Sequence, residues 1–184
     1  GKKESEQSGK AVAVTVMTVV PRDIPVEIQF VGTTESSHQV EIRSRVEGFL
    51  EKISYEEGGR VKAGQTMFQI DKRPFEAALQ QARGVLAQQQ AKLVTAEATL
   101  KRVRPLAEKN AVSKKDLDDA IGDEKTARSA VLSAQGSVQD AELKLSYTTI
   151  KSPIEVFAGR SKKQEVSYIS IGQDSLLTYV AKIN

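Results

Sequence analysis

The sequence has no cysteine and no tryptophan, one histidine, five prolines in 184 residues, and an aromatic content of 5%. Without cysteine there is no disulfide, no thiolate metal site and no thiol nucleophile, and the redox compartment stays open. His38 stands alone in a polar run, so it gives no basis for a histidine metal cage or a Ser/His/Asp triad and is read as a surface or strand residue. No catalytic, cofactor-binding or metal-binding residue is assigned, and the chain is read as a non-enzyme. No apolar run reaches the roughly 18 residues a membrane-spanning helix needs. A net charge of +3 with 28% charged residues is too weak to argue for nucleic acid. No aromatic-interleaved basic run argues for it either, so no nucleic-acid partner is expected.

What the sequence does have is one long, regular pattern between Pro74 and Leu145. Phe75, Leu79, Ala82, Leu86, Gln89, Leu93, Ala96, Leu100, Val103 and Ala107 are spaced alternately by 4 and 3. That alternation is a heptad seam. It resumes at Ser113, Leu117, Ala120, Glu124, Ala127, Val131, Ala134, Val138, Ala141 and Leu145. The pattern predicts two helices joined by a short turn. Larger side chains on the first seam and mostly Ala and Val on the second let the helices pack closely as an antiparallel coiled-coil hairpin, each arm roughly 50 Å long.

The flanks read as β structure. Residues 11–20 are rich in β-branched side chains and 24–32 alternate apolar with polar, two strands following a polar tail at 1–10 that is expected to be disordered. Between Gln39 and Ile70, short alternating strands are punctuated by Gly48, Gly58, Gly59 and Gly64, each where a turn is due. The spacing Val46, Gly48, Leu50, Ile53, Gly58-Gly59, Val61, Gly64, Met67, Ile70 resembles one half of a biotinyl/lipoyl-type β-sandwich. The second half follows the hairpin, from Thr148 onward, so the hairpin is an insertion.

That layout resembles the periplasmic adaptor proteins, or membrane fusion proteins, of tripartite resistance-nodulation-division-type efflux pumps, a HlyD-like family. The fold it implies is α+β: a long antiparallel α-helical hairpin inserted into a split lipoyl/biotinyl-like β-sandwich, with flanking strands from an incomplete β-barrel domain. The expected organisation is a tail at 1–10, partial-barrel strands at 11–36, the first lipoyl-like half at 37–72 and the hairpin at 73–146. The second half follows at 147–175, and a return into the barrel begins at 176–184. The resemblance implies a TolC-type outer-membrane channel and an inner-membrane transporter of the resistance-nodulation-division type as partners, and hexameric self-association. It also implies a periplasmic location associated with the inner membrane, with lipid anchoring through a residue outside this sequence left open.

The turn between the helices reads KRVRPLAEKNAVSKKDLDD, residues 101–119. Pro105 is expected to kink or loosen the first helix near its end, Asn110 suits a C-cap or turn, and Ser113 with Asp116 fits a capping box. The adaptor family's tip pattern, Arg, three residues, Leu, six residues, Ser, is matched by Arg102, Leu106 and Ser113, which the resemblance implies dock on the channel. Lys101 to Lys115 hold six cations against Glu108, a local +5 that exceeds the whole chain's +3. Arg104, Lys109, Lys114 and Lys115 thus support a basic tip suited to an electronegative partner. A purely structural account also exists for most of these residues: cations late in one helix and acids early in the next complement the helix dipoles. Lys114 and Lys115 oppose it.

Two other readings compete. An adaptor of an ABC-type exporter shares the same layout. A lipoyl or biotinyl carrier domain would place its modified lysine at Asp71-Lys72, but Arg73-Pro74-Phe75 opens a helix there instead of a turn. Against the family pattern, Val156 and Val166 stand where glycine is usual, and Ile171 where proline is common. Both valines are expected to sit in strained turns.

Overall fold

The computed structural model describes residues 13–18 and 39–183. The chain divides into two units, Gly1–Glu35 and Ser36–Asn184. In the first, residues 13–18 are exposed and carry neither helix nor strand. The strand expected over 11–20 is therefore absent where it is described, because β propensity expresses the fit of a side chain to a pleated, half-buried surface and supplies no partner by itself. The strand expected over 24–32, and His38, lie outside the described residues.

The second unit is a β-sandwich with a helical hairpin growing from it. Before the hairpin come β1 (Gln39–Arg43), β2 (Gly48–Ile53), β3 (Arg60–Val61) and β4 (Thr66–Ile70). After it come β5 (Thr149–Lys151), β6 (Val156–Ala158), β7 (Tyr168–Ile169) and β8 (Leu176–Lys182). One sheet has the order β1-β8-β6-β3, the other β5-β4-β2-β7, and every pairing is antiparallel. Each sheet mixes strands from both sides of the insertion. The sandwich can therefore close only when the two segments meet.

Leu50, Val61, Met67, Phe68, Val156, Ile169, Leu177 and Val180 are buried together in one core. Tyr55 packs edge-on against Phe68 at 5.3 Å between ring centroids and donates its hydroxyl to the Gly159 carbonyl at 3.1 Å. Gly159 itself passes so close to β8 that a Cβ there would lie 2.6 Å from the Tyr179 carbonyl oxygen. Only glycine fits that crossing.

Two expectations about the second half are corrected. Leu176–Lys182, expected to begin a return into a barrel, is instead the inner strand between β1 and β6, and its Leu177 and Val180 complete the core. Val156 is not in a turn: it is a fully buried β6 residue paired with Val61, with ordinary negative φ. Val166 does hold left-handed backbone, at φ 71. Backbone hydrogen bonds from Val166 N to Leu50 O (2.6 Å) and from Leu50 N to Ser167 O (2.8 Å) pin it there.

The hairpin consists of α1 (Arg73–Glu108) and α2 (Lys114–Ser146). Every predicted seam position in both helices is buried or half-buried, apart from Ser113 at the turn. The hairpin leaves from β4 and returns into β5, which are neighbours in one sheet. Gln69 ties the two connections: its Nε2 donates to the Thr148 carbonyl at 3.1 Å while its Oε1 accepts from Thr149 Oγ1 at 2.9 Å. At the start of α1 the Asp71 carboxylate accepts from the Arg73 amide at 3.1 Å and from its guanidinium at 2.7 Å, which holds the carboxyl down at about 2. Lys72, the lysine of the carrier-domain reading, immediately precedes α1 and lies 3.8 Å from Glu76, rather than on an exposed β-turn.

Candidate functional site

The site expected from the sequence is the turn joining α1 to α2, and local chemistry explains its shape. Asn110 adopts φ 54, the left-handed conformation at which Asn is among the few tolerated side chains. Its amide donates to the Ala107 carbonyl at 3.0 Å, and the Ala111 amide reaches back to the Leu106 carbonyl at 2.8 Å. This pair of bonds is a Schellman closure, which satisfies carbonyls that the helix end would leave without partners.

The next helix opens with the expected capping box. Ser113 Oγ accepts from the Asp116 amide at 3.0 Å, and the Ser113 amide donates to Asp116 Oδ2 at 3.0 Å. In addition, the Ser113 hydroxyl donates to the same carboxylate oxygen at 2.6 Å. These bonds to Ser113 hold the Asp116 carboxyl below its ordinary range. The two closures abut, so little of the turn is left to move.

Within this frame Arg102 and Leu106, one helical turn apart, share a face of α1. Leu106 is 42% exposed, and Arg102 is exposed with its guanidinium 3.4 Å from the Thr99 hydroxyl. Pro105, next to Leu106, lies inside the helix, which runs on to Glu108 although proline supplies no amide donor there. Ser113 is exposed at the mouth of α2. The three residues of the motif thus surround one turn, at the end of the hairpin farthest from the sandwich.

The supporting cations divide. Lys115 donates to Asp119 one turn later at 2.5 Å, and that carboxylate raises its pKa. Among the described residues Arg104, Lys109 and Lys114 have no carboxylate partner within ion-pair distance. Arg104 lies roughly 200° around α1 from Arg102 at about 100° per residue. It lines a shallow groove with Glu97, Leu100, Lys101, Pro105 and Glu124 instead. The basic pole is therefore distributed around the tip rather than gathered beside Arg102 and Leu106.

The sequence reading missed that Arg128 holds Glu124, an acid on the α2 seam, and also reaches Glu97 on α1. The signal was present, since Glu124 and Arg128 are four residues apart in the favourable order.

The hairpin also decides the kinship of the chain. Residues 78–148 match the family model described as the RND MFP alpha-helical hairpin domain. The chain belongs to the membrane fusion protein family. Over 182 residues it is 34% identical to the multidrug resistance protein MdtA of Pantoea ananatis, a match covering 99% of this chain and 44% of that protein. Over 184 residues it is 33% identical to the membrane fusion protein MtrC of Neisseria gonorrhoeae, covering 100% of this chain and 45% of the relative. This membrane fusion protein thus spans about half the length of the curated relatives it matches. Among solved structures it is similar to a MacA-MexA chimeric protein containing the Pseudomonas aeruginosa MexA alpha-hairpin domain. The TM-score is 0.54 at 28% identity, with 81% of this chain and 49% of the other covered. The split sandwich with an inserted hairpin is therefore the fold of this family. Among the described residues, no helix is long and apolar enough to cross a membrane, and no group of acids and histidines is arranged to hold a metal ion.

Proposed function

We propose that this membrane fusion protein acts as the periplasmic adaptor of a tripartite efflux pump. The tip of its hairpin docks on a TolC-type outer-membrane channel, while the protein associates at the inner membrane with a transporter of the resistance-nodulation-division type. The names of its relatives, a multidrug resistance protein among them, favour drug efflux as the process it serves. The adaptor performs no chemistry of its own. It links two membranes, working as an assembly of copies, six in the full pump.

The observation that carries this reading is Leu106. An apolar side chain, 42% exposed, is held by a rigid turn at the far end of a long arm, one helical turn from the exposed Arg102. An exposed anchor beside a charged donor, on a preorganised support, is how a small docking surface gains affinity. Arg102 supplies charge-assisted hydrogen bonds, Leu106 fills an apolar recess, and Ser113 adds a polar contact at the start of the second helix.

Crosslinking the tip to a purified TolC-type channel tests the reading, with wild type compared against Arg102→Asp. The expected result is capture by wild type and a loss of at least about tenfold in the variant, since a charge reversal both removes the donor and introduces repulsion. Equal capture would remove Arg102 from the docking role.

A further inference from the structure

The tip carries information about the polarity of its partner. A serine hydroxyl has one proton to donate and two lone pairs to accept with. In this protein the Ser113 proton is committed to Asp116 Oδ2 at 2.6 Å, and one lone pair is occupied by the Asp116 amide at 3.0 Å. One lone pair remains, and the residue is exposed. Lys115, the adjacent cation, is occupied by Asp119 at 2.5 Å, so it does not draw the Asp116 carboxylate away from the hydroxyl.

On the other helix the polarity is reversed. Arg102 offers only donors, and its one side-chain hydrogen bond among the described residues, to the Thr99 hydroxyl at 3.4 Å, is long and leaves most of its N–H groups available. Leu106 follows Arg102 on the same face of α1, and the turn then leads to Ser113.

We propose that Asp116 is a positioning residue that makes Ser113 an acceptor only, so that the tip presents donor, apolar side chain and acceptor at Arg102, Leu106 and Ser113. The complementary surface on the channel then has to supply an acceptor for Arg102, an apolar recess for Leu106 and a hydrogen-bond donor for Ser113. Placing a second acceptor opposite Ser113 would leave two acceptors facing each other without a proton, a desolvation cost that excludes such a partner. This inference rests on the docking reading and specifies what that docking selects.

The test uses the full chain and a purified TolC-type channel in detergent, with affinity measured at about 0.5 M salt so that long-range charge effects are screened. Ser113→Asp and Ser113→Asn are matched in size and both cap a helix well. The first presents only acceptors to the partner, whereas the second, its carbonyl used by the Asp116 amide, presents an NH₂ donor. The Ser113→Asp variant is expected to bind at least about tenfold more tightly than Ser113→Asn, with equal helix content by circular dichroism. Equal affinities, or the reverse order, would overturn the proposal.

The role of Asp116 is tested by the pair Ser113→Ala and Asp116→Ala, singly and together. If Asp116 acts on docking through Ser113, its effect on channel affinity largely disappears in the Ser113→Ala background. Additive losses would overturn the positioning role. If wild type captures no channel at all, the docking reading itself fails; if wild type binds and only the rank order of the variants is wrong, the polarity alone fails.

Discussion

Arg128 on α2 reaches Glu97 on α1 across the hairpin at 3.0 Å, and the same guanidinium holds Glu124, one turn earlier on its own helix, through Nε at 2.9 Å. Glu124 occupies a seam position normally given to an apolar residue, and its side chain is only 13% exposed. One cation thus neutralises an acid inside the seam and ties the two helices together. A second bridge, Arg83 to Glu142 at 3.3 Å, crosses nearer the base. Among the described residues these are the two ion pairs that join the arms.

Replacing Arg128 by Met is therefore expected to lower the Tm, because it strands the Glu124 carboxylate in the seam while leaving bulk behind. Adding Glu124→Leu to that variant is expected to restore the Tm to the wild-type value or above, since an apolar pair of similar volume removes the desolvation cost altogether. Thermal melts followed by circular dichroism at 222 nm measure both. A double variant less stable than Arg128→Met alone would contradict this account of Glu124.

The two valines that depart from the family's glycine pattern are expected to respond in opposite directions. Val166→Gly relieves a left-handed backbone in a side chain that is 77% exposed, so little packing is lost. The gain, offset in part by the entropy of glycine, is about 1 kcal/mol. Val156→Gly opens a cavity in the core and weakens a strand, costing about 3 kcal/mol. Urea midpoints of the two variants read the difference directly.

Asp71 gives the fold a pH dependence at the root of the hairpin. Its pKa falls from an ordinary value of 3.8 to about 2, chiefly through the hydrogen bonds from the Arg73 side chain and amide. In that interval the unfolded chain binds more protons than the folded one, so stability rises with pH. The contribution is complete above roughly pH 4 to 5 and is lost as pH falls toward 2. Comparing urea unfolding of wild type and Asp71→Asn between about pH 2 and 6 should show a shallower slope in the variant.

Much of the tip was legible because its determinants are local. Ser113 and Asp116 are three residues apart, and the Schellman closure spans six residues from Leu106 to Ala111. A capping box needs nothing beyond its own helix turn. The grouping of the basic residues was not legible in the same way. Counting charge along the chain gave only a net basic tip, whereas the helix turns Arg104 to another side from Arg102, where it lines a groove with Glu97 and Glu124.

The sequence by itself determined the two helices, their seam and the turn between them, since heptad spacing and capping act over a few residues and repeat without reference to the rest of the fold. It also marked the sandwich as split, because glycine-punctuated strands stand on both sides of the hairpin. Only the tertiary structure decided that Leu176–Lys182 lies between β1 and β6, and that Val156 is a core residue while Val166 carries the strain. Strand partners and register are long-range facts. A β-branched residue reads the same in a buried strand and in a strained turn until its neighbours across the sheet are known.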